Sequence, residues 1–226
     1  MSTIAERWLA TRARVDDACA RASRDPKTVT IVAVSKTHPA SAVREAAAAG
    51  ATDFGENYAQ ELVTKRAELP DVRWHFVGRL QRNKAKLVAG QVALVHAVDS
   101  VELARELAKR AAGEVQPVLL SVNVGAEESK GGVSSAAAIA FARDLVAVPG
   151  VRLEGLMTMP PPSDDPETSR SAFEALRALR DEIQQATGHP LPVLSMGMSG
   201  DFEVAIACGA THVRIGTAIF GARDAA

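Results

Sequence analysis

A lysine follows an apolar stretch near the amino terminus, where its amine could do chemistry. Residues 29–34 are apolar except for Thr30 and predict a buried strand, and Ser35 and Lys36 come directly after it. The simplest role for such a lysine is on the surface, with its stem lying along the fold. In a dry pocket, however, burial disfavours the ammonium form, and the neutral amine can attack a carbonyl carbon. Lys36 is therefore either a surface residue or a nucleophile.

Two glycine-containing segments near the carboxyl terminus could bind an anion. They are "GMSGD" and "RIGT", and their candidate residues are Gly197, Ser199, Gly200, Gly216 and Thr217. Glycine lets backbone N–H groups approach an anion, and a helix that begins there adds a favourable dipole. An ordinary Gly/Ser turn with a helix cap is the alternative. Because a carboxylate would repel phosphate, we expect Asp201 to point away and serve the helix start.

The elements that position these residues alternate between strands and helices. About eight apolar runs are each followed by a helical pattern, and a helix within residues 1–25 precedes them. The runs are continuous, as parallel strands buried on both faces require. This order predicts a single (β/α)8 TIM barrel over residues 1–226, with the N-terminal helix packed on it. A doubly wound open sheet is the competing fold. In a barrel, Lys36 and both glycine-containing segments fall at the carboxyl ends of strands, where active sites lie.

Composition limits the partners and the compartment. Charged residues make up 23% and the formal net charge is -1, which indicates neither nucleic-acid nor membrane-surface binding. The two cysteines, Cys19 and Cys208, have no metal-ligand spacing and fit a reducing compartment. No apolar run approaches the roughly 20 residues of a membrane span, and no signal-peptide pattern opens the chain. We expect a cytoplasmic, monomeric protein.

A ligand with an aldehyde at one end and a phosphate at the other would connect Lys36 to the two glycine-containing segments. Pyridoxal 5′-phosphate (PLP) carries both groups. A phosphosugar lyase that uses the Lys36 amine without a cofactor is an alternative consistent with the same residues.

Seven ordered motifs resemble the pyridoxal phosphate homeostasis proteins, small relatives of the N-terminal barrel of alanine racemase. The motifs span about residues 30–221 and read "AVSKTHP", "FGENYAQE", "WHFVGRLQRNK", "VDSVELA", "SVNVGAEESKGGV", "GLMTMP" and "LSMGMSGDFEVAIACGATHVRIGTAIFG". The resemblance implies an alanine racemase N-terminal domain-like barrel that binds PLP and buffers or delivers it, with no established turnover. It also suggests PLP-dependent apoenzymes as partners.

The resemblance implies a role for particular residues. Lys36 would carry PLP as a Schiff base, Asn57 would lie beside the cofactor, and Arg214 would face the pyridine nitrogen. The other implied cofactor residues are Ser199, Gly200, Gly216 and Thr217 around the phosphate, Val34 and Met196 against the ring, and His75 and Met157 nearby. A guanidinium only donates hydrogen bonds, so the pyridine nitrogen would be unprotonated and the ring a poorer electron sink. A surface salt bridge is the simpler role for Arg214.

A small PLP-dependent racemase or decarboxylase is the competing function. It needs a second acid/base group on the opposite face of the ring, and Tyr58 is the only tyrosine. Other candidates have simpler structural interpretations. His75 fits a hydrogen-bonded structural histidine, Lys84 a solvated helix start, Lys130 a surface loop, and Cys208 the core.

Overall fold

The computed structural model describes residues 2–125, 131–161 and 163–222. Lys130 lies outside the described residues. The strands in the described ranges are β1 (Thr30–Val34), β2 (Asp53–Glu56), β3 (Arg73–Phe76), β4 (Leu94–Val98), β5 (Gln116–Asn123), β6 (Val133–Ser134), β7 (Val151–Met157), β8 (Val193–Ser195) and β9 (His212–Ile215).

Eight of these strands form a closed parallel barrel. The order of neighbouring strands is β4-β3-β2-β1-β9-β8-β7-β5, and β4 also pairs with β5, which closes the ring. The two-residue strand β6 pairs with the carboxyl end of β5 outside this ring. The predicted (β/α)8 barrel is therefore confirmed, and the open sheet is excluded.

Helices surround the barrel. They are α1 (Ile4–Arg21), α2 (Ala40–Ala48), α3 (Ala59–Glu68), α4 (Val101–Arg110), α5 (Ser135–Val146), α6 (Arg170–Thr187), α7 (Phe202–Ala207) and α8 (Thr217–Phe220). Short 3-10 helices cover Pro26–Thr28, Arg82–Leu87 and Pro166–Ser169. Within the described ranges, no helix combines the length and the apolarity that crossing a membrane requires.

The N-terminal helix α1 packs on the barrel's helical layer next to the carboxyl terminus. It begins with a capping box, in which Thr3 Oγ1 accepts from the Glu6 N–H at 3.1 Å and Glu6 Oε2 accepts from the Thr3 N–H at 2.8 Å. Trp8 is buried on its inner face. Arg7 Nε donates to the carbonyl oxygen of Ile219 at 2.7 Å. This bond attaches α1 to α8, the element that follows the last strand.

The barrel interior is only partly apolar. Strand β1 is buried along almost its whole length, which explains why its sequence is a continuous apolar run rather than an alternating one. Five buried polar side chains nevertheless lie in the barrel interior, on β2, β3, β4, β8 and β9. They are Asp53, His75, His96, Ser195 and Arg214. These groups connect the interior of the barrel to the site at its carboxyl end.

Candidate cofactor site at the carboxyl ends of the strands

A cavity of about 320 Å³ opens where the barrel strands end. It is in the size range of small-molecule sites, roughly 300–1,000 Å³. The predicted cofactor residues that line it are Val34, Lys36, Asn57, Ser199, Gly200, Arg214, Gly216 and Thr217. The structure therefore brings the lysine and both glycine-containing segments, far apart in sequence, around one space.

Lys36 lies in a turn that leaves the end of β1. Its side chain is half-buried and lines the cavity. The next residue, Thr37, has a φ of 67°, a left-handed conformation that costs energy for a residue other than glycine. The Thr37 N–H donates to Glu61 Oε2 at 2.9 Å. The backbone after Lys36 is thus held in its strained form by a carboxylate from α3.

A buried lysine holds the backbone on the other side of Lys36. Lys65 Nζ donates to the carbonyl oxygen of Ser35 at 2.8 Å, to Glu56 Oε1 at 2.6 Å and to Glu61 Oε2 at 2.9 Å. Ser35 Oγ also donates to Glu56 Oε1 at 2.6 Å. The cluster Glu56–Glu61–Lys65 therefore positions the residues before and after Lys36, and we call it the lysine clamp.

The two carboxyl groups of the lysine clamp have opposite pKa shifts. Burial raises the pKa of Glu56 above its ordinary value, and hydrogen bonds from Lys65 and Ser35 offset only part of this. Burial also opposes ionisation of Glu61, but hydrogen bonds from Lys65 and Thr37 lower its pKa overall. Among the described residues, the second carboxyl oxygen of Glu56 has no hydrogen-bond partner. Burial thus dominates the pKa of Glu56, whereas the hydrogen bonds dominate that of Glu61.

The turn after β8 contributes Met198, Ser199 and Gly200 to the lining of the cavity. Gly197 has a φ of 91°, and a Cβ added there would lie 2.6 Å from Ala205 Cβ, so the turn requires glycine. Ser199 Oγ accepts from the Ala218 N–H at 3.3 Å, which joins this turn to α8. Helices α7 and α8 have only six and four residues, so their dipoles would contribute little to binding an anion. The hydrogen-bond donors to an anion must therefore be hydroxyl and backbone N–H groups of the two glycine-containing segments.

Asp201 points away from the cavity, as expected, but it does not cap α7. Its carboxylate accepts from the Met198 N–H at 2.7 Å and from Ser169 Oγ at 2.9 Å, and it is not a lining residue. No cap hydrogen bond to α7 forms. The carboxylate therefore stabilises the turn that carries Ser199 rather than the helix start.

Arg214 reaches the cavity from inside the barrel. Its Nη1 donates to Ser195 Oγ at 2.7 Å and its Nη2 donates to the carbonyl oxygen of Thr158 at 3.0 Å. Only 6% of the residue is exposed, which rules out a surface salt bridge. Burial lowers the pKa of Arg214 to about 10, partly offset by Asp201, and the guanidinium remains charged at neutral pH.

Three predicted cofactor residues do not line this cavity. Met157 lines an adjoining cavity of about 340 Å³, which shares Asn57 with the first. Met196 is fully buried in the core. His75 lies inside the barrel, where it is hydrogen-bonded to another histidine and to a carboxylate, as its structural interpretation predicted. Strand-end position alone could not distinguish inward-facing side chains from those at the mouth.

Sequence reasoning missed several lining residues, namely His38, Val77, Met159, Met198 and Gly221. Val77 directly follows β3 and could have been found by the strand-end argument used for Lys36. The imidazole of His38 stacks on the Phe220 ring with centroids 5.3 Å apart. His38 lies two residues after Lys36, and this proximity was the available signal.

Other sequence candidates lie outside the cavity. Tyr58 is 53% exposed and, with Lys84, lines a separate open groove. Cys208 is buried, which confirms its core assignment. Within the described part of the chain, no group of three or more His, Cys, Asp or Glu residues is arranged to hold a metal ion.

Comparison with known proteins agrees with this geometry. The family model of the alanine racemase N-terminal domain matches residues 10–224. A protein of Pseudomonas aeruginosa named pyridoxal phosphate homeostasis protein is 47% identical over 99% of this chain and 97% of its own length. The chain belongs to the pyridoxal phosphate homeostasis protein family.

Other relatives and solved structures match over most of this chain. One from Aquifex aeolicus is 47% identical over 93% of this chain and 94% of its own. PipY of Synechococcus elongatus, solved with PLP bound, is 38% identical with a TM-score of 0.85, covering 97% of this chain and all of its own. Alanine racemase of Corynebacterium glutamicum, at 20% identity and a TM-score of 0.69 over 94% of this chain and 60% of its own, shares the fold.

Proposed function

We propose that this protein binds PLP in the cavity at the strand ends, holds it as a Schiff base on Lys36, and buffers or delivers it. The observation that carries the proposal is the shared cavity, which is lined on one side by the Lys36 amine and on another by Ser199 and Thr217. An amine and an anion-binding set that face one space match a phosphorylated aldehyde. The structure of the relative PipY with PLP bound supports the choice of PLP as the ligand.

Each lining group has a role in this proposal. PLP, when bound, supplies an aldehyde carbon that condenses reversibly with an amine. Lys36 provides that amine, because its half-buried side chain lines the cavity. The hydroxyls of Ser199 and Thr217, with backbone N–H groups of the two glycine segments, bind the phosphate. Asn57 and Val34 lie beside the ring, and Gly200 and Gly216 leave room for the anion to approach.

The position of Arg214 favours binding over turnover. Its guanidinium is charged and lines the cavity, and it donates hydrogen bonds but cannot accept them. Opposite the pyridine nitrogen it would keep that atom unprotonated. Such a ring withdraws electrons weakly, so substrate carbanions are poorly stabilised. A reversible covalent bond without efficient turnover suits a protein that keeps the concentration of free PLP low and passes it to apoenzymes.

The proposal includes a cytoplasmic, monomeric protein. Both cysteines are buried free thiols, which is the usual state in a reducing compartment. A site that lies within one barrel is compatible with a monomer, and size-exclusion chromatography with light scattering measures the oligomeric state directly.

The proposal is tested by a visible spectrum and by chemical trapping. PLP added to the purified protein should give the absorbance of a Schiff base, and borohydride should fix the label on the peptide that contains Lys36. Lys109→Ala, which removes an exposed lysine at the end of α4, should leave both results unchanged. Absence of the absorbance, or a label in the wild type on other lysines only, would refute the proposal.

A PLP-dependent racemase or decarboxylase is the second candidate, and one observation favours it. His38 lines the same cavity as Lys36 and could carry a proton. Tyr58 does not line that cavity. Wild-type protein loaded with PLP should be assayed on a panel of D- and L-amino acids, beside His38→Gln. Substantial turnover that is lost in His38→Gln would support this candidate, whereas no turnover would support binding alone.

A further inference from the structure

We infer that His96, His75 and Asp53 are positioning residues for Arg214, joined to it through Ser195 by a hydrogen-bonded chain across the barrel interior. The inference rests on the proposed function, because Arg214 matters through the cofactor that it would face. None of the three residues lines the cavity. They act, on this inference, by fixing the orientation of a charged group that does.

The chain is continuous, and all its members are buried. Arg214 Nη1 lies 2.7 Å from Ser195 Oγ, and Ser195 Oγ lies 2.8 Å from His96 Nδ1. His96 Nε2 lies 3.0 Å from His75 Nδ1, and His75 Nε2 lies 2.9 Å from Asp53 Oδ1. The five side chains come from five strands, and none of these residues is more than 6% exposed. Asp53 begins β2, so the chain runs from the amino end of the barrel to the cavity.

One arrangement of protons satisfies the whole chain. A guanidinium only donates, so Ser195 Oγ accepts from Arg214. The hydroxyl of Ser195 then donates to His96 Nδ1, which is the other partner of this oxygen among the described residues of the protein. His96 therefore carries its proton on Nε2 and donates to His75 Nδ1. His75 in turn donates through Nε2 to the Asp53 carboxylate.

The far end of the chain supports the same arrangement. Burial opposes ionisation of Asp53, but hydrogen bonds from His75 and Thr52 outweigh it and lower the pKa of Asp53. Thr52 Oγ1 donates to Asp53 Oδ2 at 2.7 Å, and Arg73 Nη1 lies 3.6 Å from Asp53 Oδ1. An anionic Asp53 requires a donor at His75 Nε2. Both ends of the chain therefore demand the same direction of donation.

Burial and the groups around His96 disfavour protonation of its imidazole. Burial, and after it the proximity of His75, His212 and Arg214, holds the pKa of His96 well below its ordinary value. The His212 ring lies 5.9 Å from that of His75 and 6.1 Å from that of His96. Burial lowers the pKa of His212 to about 3, so it adds no charge at neutral pH. The described charges around the chain are thus Asp53, Arg73 and Arg214, with Asp201 acting on the last.

A change at Asp53 should consequently reach the cavity. In Asp53→Asn the side-chain amide can donate to His75 Nε2, which permits every bond of the chain to reverse. Ser195 Oγ would then accept hydrogen bonds from both Arg214 and His96, and its partners among the described residues would include no acceptor for its own hydroxyl proton. Buried networks that are only partly satisfied lose order, so the guanidinium would be less well fixed.

The first measurement needs no cofactor. Nitrogen-15 NMR of the histidine rings in the full chain should show His75 and His96 neutral and protonated on Nε2. Asp53→Asn should move the His96 proton wholly or partly to Nδ1. Thr52→Val is the matched control, because it removes a hydrogen bond from Asp53 without touching the chain, and it should keep the wild-type tautomers. His96 protonated on Nδ1 in the wild type would overturn the inference.

The second measurement uses PLP and a double-mutant cycle. Asp53→Asn and Ser195→Ala should each weaken PLP binding about tenfold and shift the pH profile of the bound chromophore, whereas Thr52→Val should stay within about twofold. The double variant should bind no more weakly than Ser195→Ala, since the chain is already broken. Additive losses, or unchanged affinity and pH profile in Asp53→Asn, would overturn the inference.

These outcomes separate the inference from the proposed function. If wild-type protein fails to bind PLP, the proposed function fails. The tautomers of His75 and His96 would still show whether the hydrogen-bonded chain exists. If PLP binds to the wild type and Asp53→Asn changes neither its affinity nor its pH profile, only the inference fails. Should Asp53→Asn not fold, His75→Gln interrupts the chain at its next member and replaces it in both measurements.

Discussion

Lys65 Nζ lies 2.8 Å from the carbonyl oxygen of Ser35, the residue immediately before Lys36. A buried cation thus positions the backbone that carries the candidate nucleophile, although Lys65 itself does not line the cofactor cavity. The sequence analysis did not single out Lys65, because it appears there as one polar residue in an amphipathic helix.

We predict that Lys65→Met destabilises the fold by about 3–5 kcal/mol, the usual cost of leaving a buried charge unpaired. Glu56 and Glu61 would lose their common donor. Urea unfolding measures the change. Lys109→Met, at an exposed position, should alter stability by less than about 0.5 kcal/mol. Adding Glu56→Gln should recover part of the loss, and a double variant no better than Lys65→Met would contradict the charge argument.

We predict that Gly197→Ala destabilises the fold by about 1–3 kcal/mol, because its φ of 91° and the close Ala205 exclude a side chain. Gly200→Ala should change stability by less than about 0.5 kcal/mol, since no atom lies within 4 Å of an added Cβ. Chemical unfolding of both variants tests this pair. Equal losses of unfolding free energy in the two variants would contradict the prediction, because they would show that Gly197 is no more sensitive to an added side chain than Gly200.

We predict a loss of stability on mild acidification from the buried histidines. The folded-state pKa of His96 is well below its ordinary value, and that of His212 is about 3. The unfolded chain therefore binds protons below its own pKa near 6.5 that the folded chain does not, which lowers stability by about 1.4 kcal/mol per pH unit for each group. The stability is present above that pKa and is lost as pH falls below it.

The measurement is urea unfolding between pH 7 and 5. His212→Asn removes one of the two groups, so it should reduce the slope of unfolding free energy against pH by about half. A slope unchanged in His212→Asn would mean that this imidazole titrates normally.

We predict that Arg214→Lys weakens PLP binding about 10- to 100-fold, because one ammonium cannot reproduce the two bonds to Ser195 Oγ and the Thr158 carbonyl. Equilibrium titration followed by absorbance gives the affinity. Arg73→Lys, at an exposed position, is the control and should bind as the wild type does. Equal affinities for the wild type and Arg214→Lys would remove Arg214 from the proposed site.

Much of the fold and part of the site follow from local patterns. Continuous apolar runs between helical segments predicted parallel strands, and a closed parallel barrel collects all the strand ends at one mouth. This reasoning placed Lys36, Ser199 and Gly216 at the cavity that the structure shows. It did not place His75, because a residue near the end of a short strand can face either the mouth or the interior.

The sequence by itself determined the alternation of strands and helices, the position of Lys36 at a strand end and the glycine turn at Gly197, because each depends on residues that are close in the chain. Only the tertiary structure decided that Lys65 reaches Ser35 and that His96 joins His75 to Ser195. Those contacts depend on the stagger between strands and on which face each side chain takes. Stagger is a property of the closed ring as a whole, and no segment of the chain encodes it alone.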